Sequence, residues 1–377
     1  MRLLISGYYG FDNLGDEAIL AALVQELRAR HPDWTPVVLS DKPAATEALY
    51  GVETAARDSL LQMWEEMGRA DLLLSGGGGL LQNVTSQLSL GYYLSLLELA
   101  RFRGTPYVIL GQGLGPFLNF PGVTRAVRRS LDRAEAVVVR DPESVRLAQS
   151  LGVTHAPITK SADLALLLRP ASETATDALM SALGVEPGQP VLGLTLRGWG
   201  GKEPWEAAVE LCDHFQGPLG VRCLLLPFQP EDIPLAWKIA GACQAEPLVL
   251  QAPLLPAEML SLIGRLGLLV SMRLHGLIFS ASQETPALGL AYDPKVYAFA
   301  QEAGQKVLPL DQVTGQRLRV MVEEAWQVRE EQKAARAEAA KRLRQAAEIN
   351  FTVLDEVAAR LATKKKPASE PPAEVEG

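Results

Sequence analysis

The chain has 377 residues, 48% hydrophobic and 21% charged, enough for about two ordinary globular domains. With 36 basic against 44 acidic residues the net charge is −8, which argues against broad nucleic-acid binding but leaves room for a local basic pocket. The three cysteines, Cys212, Cys223 and Cys243, contain no CxxC pair, so neither a disulfide framework nor a zinc site is expected and a reducing compartment fits.

The chain opens on Met1–Gly7, a very short apolar run ended by glycine, which reads as a first strand and not as a signal peptide. No stretch approaches the roughly 18 apolar residues of a membrane span. A cytoplasmic protein is expected, with peripheral contact at the inner face of the cell membrane left open. Leu3–Ser6 is the first strand. A helix over Asp16–Arg30 follows, with Ile19, Leu20, Leu23, Val24 and Leu27 at helical spacing. Strands at Val37–Ser40, Asp71–Ser75, Tyr107–Leu110 and Ala136–Val139 then alternate with helices near 58–69, 86–103 and 121–133. This order predicts a parallel sheet covered on both faces.

Breaks at Arg169–Ser172 and Val185–Pro190 bracket one helix. The alternation then restarts with strands at Val191–Leu196, Arg222–Leu226, Leu248–Leu250, Gly267–Val270 and Ala287–Leu290. The expected architecture is α/β: two Rossmann-like domains, 1–168 and 190–310, facing across a cleft, joined by a linker at 169–189. Residues 311–362 read as a long helical segment able to run back over the first domain. One face carries Met321, Val322, Ala325 and Trp326, another Leu343, Ile349, Val353 and Val357. The tail 363–377 reads as disordered; its Lys364-Lys365-Lys366 cluster could touch anionic lipid, but such a cluster is more often a solubilising end.

Chemistry-bearing residues gather where strands end. Gly7-Tyr8-Tyr9-Gly10 with Asn13-Leu14-Gly15-Asp16-Glu17 forms the first strand-to-helix turn. It is not a G-x-G-x-x-G loop, and Asp16 either caps the helix or faces a ligand. Ser75 with Gly76, Gly77, Gly78 and Gly79 offers backbone N–H groups and room for a sugar or phosphate, without a Walker lysine. Gly111-Gln112-Gly113 follows the next strand. Arg140 leaves a Val-Val-Val strand and either meets an anion or pairs with Asp141. In the second half, Arg197 and Lys295 follow strands. Ser271-Met272-Arg273-Leu274-His275-Gly276 sits between a strand and a helix, where ligands of open α/β sheets bind. Its alternative reading is Arg273 paired with a core carboxylate and His275 packed inertly. His31, His155 and His214 lie in loops or near helix ends, and no grouping has metal-ligand spacing.

From Gly7 to about Lys295, and on the glycine turns, Arg140-Asp141 and the Ser271–Gly276 motif, the sequence resembles the polysaccharide pyruvyl transferase family in its cell-surface-anchoring branch. The resemblance implies a GT-B-like fold and transfer of pyruvate from phosphoenolpyruvate to a sugar diol, giving a 4,6-ketal and phosphate. The implied acceptor is a lipid-linked saccharide bearing N-acetylmannosamine, for secondary cell wall polymer synthesis and anchoring of surface-layer proteins. Arg140, His275 and Lys295 match the family's donor site. Arg273 joins them as an anionic anchor, and His275 is the general acid. Asp16 is the candidate base. Asn13, Gly76, Gly77, Gly78, Gln112 and Arg197 are expected on the acceptor side or lining the cleft. No metal or resident cofactor is expected, phosphoenolpyruvate being a co-substrate, and a homo-oligomer is left open. The alternative is a nucleotide-sugar glycosyltransferase of the same fold in cell-envelope polysaccharide synthesis. A non-catalytic sugar-binding protein is a third reading.

Overall fold

The computed structural model describes residues 1–84, 87–117, 122–201 and 204–365. The first domain runs through β1 (Arg2–Ser6), α1 (Leu14–Arg30), β2 (Thr35–Ser40), α2 (Pro43–Tyr50), β3 (Glu53–Ala56), α3 (Leu60–Arg69), β4 (Leu72–Gly78), α4 (Gln87–Arg103), β5 (Tyr107–Gln112), α5 (Val123–Asp132), β6 (Ala136–Val139), α6 (Pro142–Ser150) and β7 (Ile158–Lys160). A 3-10 turn at Leu164–Leu167 follows. The linker holds α7 (Glu173–Ala182). The second domain contains β8 (Val191–Thr195), α8 (Trp205–Gln216), β9 (Arg222–Leu225), α9 (Ile233–Ala242), β10 (Leu248–Val249), α10 (Pro256–Gly264), β11 (Leu268–Ser271), α11 (Leu274–Ser282), β12 (Ala287–Ala291), α12 (Pro294–Glu302) and β13 (Lys306–Pro309). Two helices close the described chain, α13 (Gly315–Gln327) and α14 (Lys333–Lys365).

Every strand pair is parallel. The first sheet has the order β3-β2-β1-β4-β5-β6-β7, the second β10-β9-β8-β11-β12-β13. The winding direction therefore reverses between β1 and β4, and again between β8 and β11. Such reversals open a crevice at the carboxyl ends of the strands. The central strands are apolar throughout because helices cover both faces: Leu3, Leu4, Ile5, Leu72, Leu73 and Leu74 are all fully buried.

Five short elements fall outside the sequence expectation: α2, α6 and the edge strands β3, β7 and β13. The edge strands are only partly buried, so they carry no apolar run to betray them. The long segment after 311 forms two helices. In α14 the buried stripe is Leu343, Ala347, Phe351, Leu354 and Val357, one helical face, while Ile349 and Val353 sit at its margin. This helix returns to the first domain. The Asn350 amide donates to the Ala162 carbonyl at 3.0 Å, and Asp355 meets His31 at 2.7 Å. The expected tail at 363–377 begins inside α14, and its residues after Lys365 lie outside the described ones.

The two domains touch directly where their crevices meet. The N–H of Leu14, at the start of α1, donates to the Phe228 carbonyl after β9 at 3.2 Å. Gly15 packs against His275 at the start of α11.

Candidate active site at the domain junction

The β1–α1 turn delivers one carboxylate to this junction. Asn13 caps α1, its side-chain oxygen accepting the Gly15 N–H at 3.1 Å, so Asp16 is not needed as a cap; its carboxylate lies against Gly78 of β4 and lines neither cavity. Glu17 beside it is spent on structure, accepting the Gly10 N–H at 2.8 Å and the Tyr50 hydroxyl at 2.7 Å. Burial raises the Asp16 carboxyl, against an opposing pull from Arg140, to about 7, although part of the side chain stays open. A carboxyl poised near neutrality suits a general base.

The glycine run is not a turn after β4. It continues the strand to Gly78, and Gly76, Gly77 and Gly78 are buried. The Gly76 carbonyl accepts the Tyr9 hydroxyl at 3.1 Å. A Cβ on Gly77 would lie 2.2 Å from Ile19 Cγ2, and one on Gly78 2.7 Å from Asp16 Oδ1. These glycines let α1 lie directly on the strand and leave room for the Asp16 carboxylate. Gln112 is also buried rather than cleft-lining: its amide donates to the Ser75 carbonyl at 2.8 Å and hydroxyl at 2.7 Å, tying β5 to β4.

Arg140 leaves β6, and Gly113 makes way for its guanidinium: a Cβ there would be 3.0 Å from Arg140 Nε. Its partner is not Asp141, which caps α6, but Asp163, whose Oδ2 receives Nη1 at 2.5 Å. Lys295 occupies the first turn of α12, and its Nζ would lie 3.2 Å from a Cβ on Gly79 across the junction. Among the described residues its ammonium has no hydrogen bond or ion pair. Burial, then Arg140, lowers its proton affinity. Arg140, Asp163 and Lys295 all line a cavity of about 470 Å³ between the domains, together with Asp141, Leu274 and Phe299.

His275 does not itself line that cavity; it lies behind two residues that do, its chain neighbour Leu274 and Asp163. The His275 side chain is 15% exposed, and its Nε2 lies 3.9 Å from Asp163 Oδ2. Among the described residues that nitrogen is buried without a hydrogen-bond partner. Burial lowers the imidazole to about 4; Asp163 opposes this, and Arg140 and Arg273 reinforce it. His275 is therefore neutral at pH 7.

Arg273 follows the alternative reading and pairs with a core carboxylate instead of pointing to a donor anion. Its guanidinium is held bidentately by the buried Asp232, with Nε to Oδ2 at 3.1 Å, and the same Oδ2 accepts the Phe228 N–H at 3.0 Å. Its fork is thus committed to fixing the loop after β9 against the start of α11. Arg197 lies apart from the junction, its Nη1 donating to the Tyr292 hydroxyl at 3.2 Å beside Trp199, and it lines neither cavity. His31, His155 and His214 bind Asp355, Asp132 and Glu323 elsewhere.

Sequence reasoning missed Asp163 and Asp232. It also missed a second cavity of about 430 Å³ on the other side of the Leu14–Phe228 contact, lined chiefly by apolar groups such as Tyr50, Phe228, Leu250 and Met259. Among the described residues, no helix is long and apolar enough to cross a membrane.

The model of the polysaccharide pyruvyl transferase family matches residues 13–294, which hold Asp16, Arg140, Asp163, Arg273 and His275; β1 precedes that span and Lys295 is the residue immediately after it. The chain belongs to the polysaccharide pyruvyl transferase family. A search of curated proteins finds no match. Among solved structures, the chain is similar to a UDP-GlcNAc 2-epimerase from Neisseria meningitidis bound to UDP-GlcNAc (TM-score 0.60, 10% identity, 94% of this chain and 100% of that one). It is also similar to MnaA of S. aureus in complex with UDP (0.64, 11%, 98% and 100%). A third is Anabaena Alr3699/HepE in complex with UDP-glucose (0.57, 14%, 96% and 100%). At these identities the likeness establishes the fold, two Rossmann-like domains of the GT-B type. The family member described here is thus a polysaccharide-modifying transferase on a GT-B-like scaffold.

Proposed function

We propose that this transferase moves pyruvate from phosphoenolpyruvate to a saccharide diol, forming a 4,6-ketal. The observation that carries the reading is the interdomain cavity in which Arg140 and the unpartnered Lys295 converge beside His275, in an otherwise acidic protein. Phosphoenolpyruvate is a compact anion with a phosphate and a carboxylate, and two cations in a partly desolvated pocket suit it. Asp16, at the other side of the Gly15–His275 contact, serves the acceptor hydroxyl.

The chemistry then closes on these residues. His275 delivers a proton to the methylene carbon, and the adjoining carbon becomes electrophilic. One sugar hydroxyl attacks it and gives its proton to Asp16. The carbon–oxygen bond to phosphate breaks, and the second hydroxyl closes the ketal ring. Of the two hydroxyl protons, one replaces the proton spent on the methyl group and the other leaves with phosphate. A positioned acid contributes about 10²–10⁴-fold to such a step.

The acceptor in this reading is a lipid-linked cell-wall saccharide bearing N-acetylmannosamine, and the product anchors surface-layer proteins. The second cavity, reached past Leu14 and Phe228, is where the acceptor approaches. The test is direct. The chain is incubated with phosphoenolpyruvate and N-acetylmannosaminyl acceptors, and phosphate release is followed in His275→Ala and in the parent. Loss of release with retained phosphoenolpyruvate binding supports the assignment. Near-parental turnover in His275→Ala refutes His275 as the acid.

A further inference from the structure

Asp163 does two jobs with one oxygen. Its Oδ1 accepts the Ala165 N–H at 3.0 Å and is spent on starting the 3-10 turn. Its Oδ2 takes Arg140 Nη1 at 2.5 Å and faces His275 Nε2 at 3.9 Å. Asp163 is only 3% exposed. Among the described residues, His275 Nε2 meanwhile is buried and unpaired, a costly condition for a polar atom. On its far side the ring rests against Gly15, which limits the directions in which it can move. A shift of about 1 Å brings Nε2 into hydrogen-bond range of Oδ2. What stands against an imidazolium there is first the burial of the ring and then the charges of Arg140 and Arg273, of which Arg140 also neutralises Asp163.

Arg140 also lines the cavity in which an anion would sit. We propose that Asp163 is the positioning residue that holds the His275 proton, and that an anionic donor frees it for this by drawing the Arg140 guanidinium onto itself. The inference rests on the reading of that cavity as an anionic-donor site. Donor arrival then converts an Arg140–Asp163 pair into an Arg140–anion pair, and the neutral ring takes up one proton from solvent to give an Asp163–imidazolium pair. The Nε2 proton waits on Asp163 at the cavity edge until the donor's carbon takes it: the N–H bond breaks, a C–H bond forms, and the ring returns neutral. The charged groups facing His275 are Asp163 before the 3-10 turn, Arg140 after β6 and Arg273 on its own helix, with Asp16 next to Gly15 on α1 and Lys295 on α12 further round the cleft. Arg273 stays bound to Asp232, so it does not take part in the exchange.

The chain has four histidines, so ring-labelled protein gives a tractable NMR titration, with His275 assigned by His275→Gln. In the free protein, Arg140→Gln should raise the His275 titration by about one pH unit or more and Asp163→Asn should lower it. This arm needs no donor. Adding phosphoenolpyruvate to the parent should raise His275 in the same way, and adding it to Asp163→Asn should not. Asp163→Asn should also lose kcat by about tenfold or more while keeping KM, as expected of a group acting through His275. Should a single variant fail to fold, the double variant Asp163→Asn/Arg140→Gln leaves no unpaired charge, and its His275 should ignore phosphoenolpyruvate. A His275 titration unmoved by Arg140→Gln and Asp163→Asn overturns the exchange, whatever the donor. Movement in both variants with no response to phosphoenolpyruvate supports the exchange and removes phosphoenolpyruvate as the donor.

Discussion

A single methyl group at Gly15 should disable the site without unfolding the protein. A Cβ there would lie 2.1 Å from His275 Nδ1, 2.6 Å from Cγ and 2.7 Å from Cε1. The ring must retreat by more than about 1 Å to restore ordinary contact. It is confined between α1 and Asp163, so the methyl group forces the ring beyond the roughly 1 Å approach that would make the Asp163 hydrogen bond and jams it against that carboxylate. A misplacement of about 1 Å at a reacting group costs on the order of 10²-fold, or about 2.7 kcal/mol of barrier. Gly15 lies inside α1 with no left-handed backbone demand, so alanine adds helix propensity of up to about 1 kcal/mol. Phosphate release should therefore fall about 10²-fold in Gly15→Ala while Tm changes little. The double variant Gly15→Ala/His275→Ala should be no less active than His275→Ala alone, because the methyl group acts only through the ring. Parental activity in Gly15→Ala, or a further loss in the double variant, refutes the placement of His275 as the reacting group.

Lys295→Met should raise the KM for phosphoenolpyruvate by about tenfold or more without lowering Tm, since a charged hydrogen bond to the donor is lost and no intramolecular partner is stranded. An unchanged KM in steady-state assays would remove Lys295 from the donor site. Asp232→Ala strands the buried Arg273 guanidinium and two backbone N–H groups, so urea unfolding should show a loss of about 3–5 kcal/mol. A loss below about 1 kcal/mol would show that the pair does not fix this loop. Stability against pH separates Asp16 from His275. The Asp16 carboxyl rises from 3.8 to about 7 on folding, so its contribution falls as pH climbs through that window. The His275 imidazole falls from 6.5 to about 4, so its contribution is lost as pH drops from 6.5 to 4. The two oppose each other. Between pH 4 and 6.5, Tm should fall with rising pH in His275→Gln and climb in Asp16→Asn. Profiles parallel to the parent in both variants would contradict the burial argument.

Most of the fold was legible because buried parallel strands must be apolar on both faces. Val191–Thr195 and Leu268–Ser271 carry that signal in the residues themselves. The strands Glu53–Ala56, Ile158–Lys160 and Lys306–Pro309 were not legible, because an edge strand needs only one neighbour and half its burial. The site was half legible. Position at a strand end pointed to Arg140, His275 and Lys295, but not to what the arginines would bind. Asp163 reads as the start of a short turn, which it is, and its second oxygen serves an arginine 23 residues earlier. Asp232, within Pro-Glu-Asp, looks like a turn residue and is the buried anchor of Arg273, 41 residues later. The glycine run invited a phosphate-loop reading because a strand interior rarely carries three glycines. Here the close approach is made by a helix of the same domain, which local sequence does not announce.

The central claim is that this chain uses phosphoenolpyruvate to build a ketal. The most direct measurement incubates it with ¹³C-labelled phosphoenolpyruvate and an acceptor presenting free 4- and 6-hydroxyls on N-acetylmannosamine, and follows product by mass spectrometry and NMR. The account predicts a labelled methyl group on a ketal carbon and one phosphate released per ketal formed. Unconsumed phosphoenolpyruvate across such acceptors, with product appearing only when a nucleotide sugar is supplied, would contradict it.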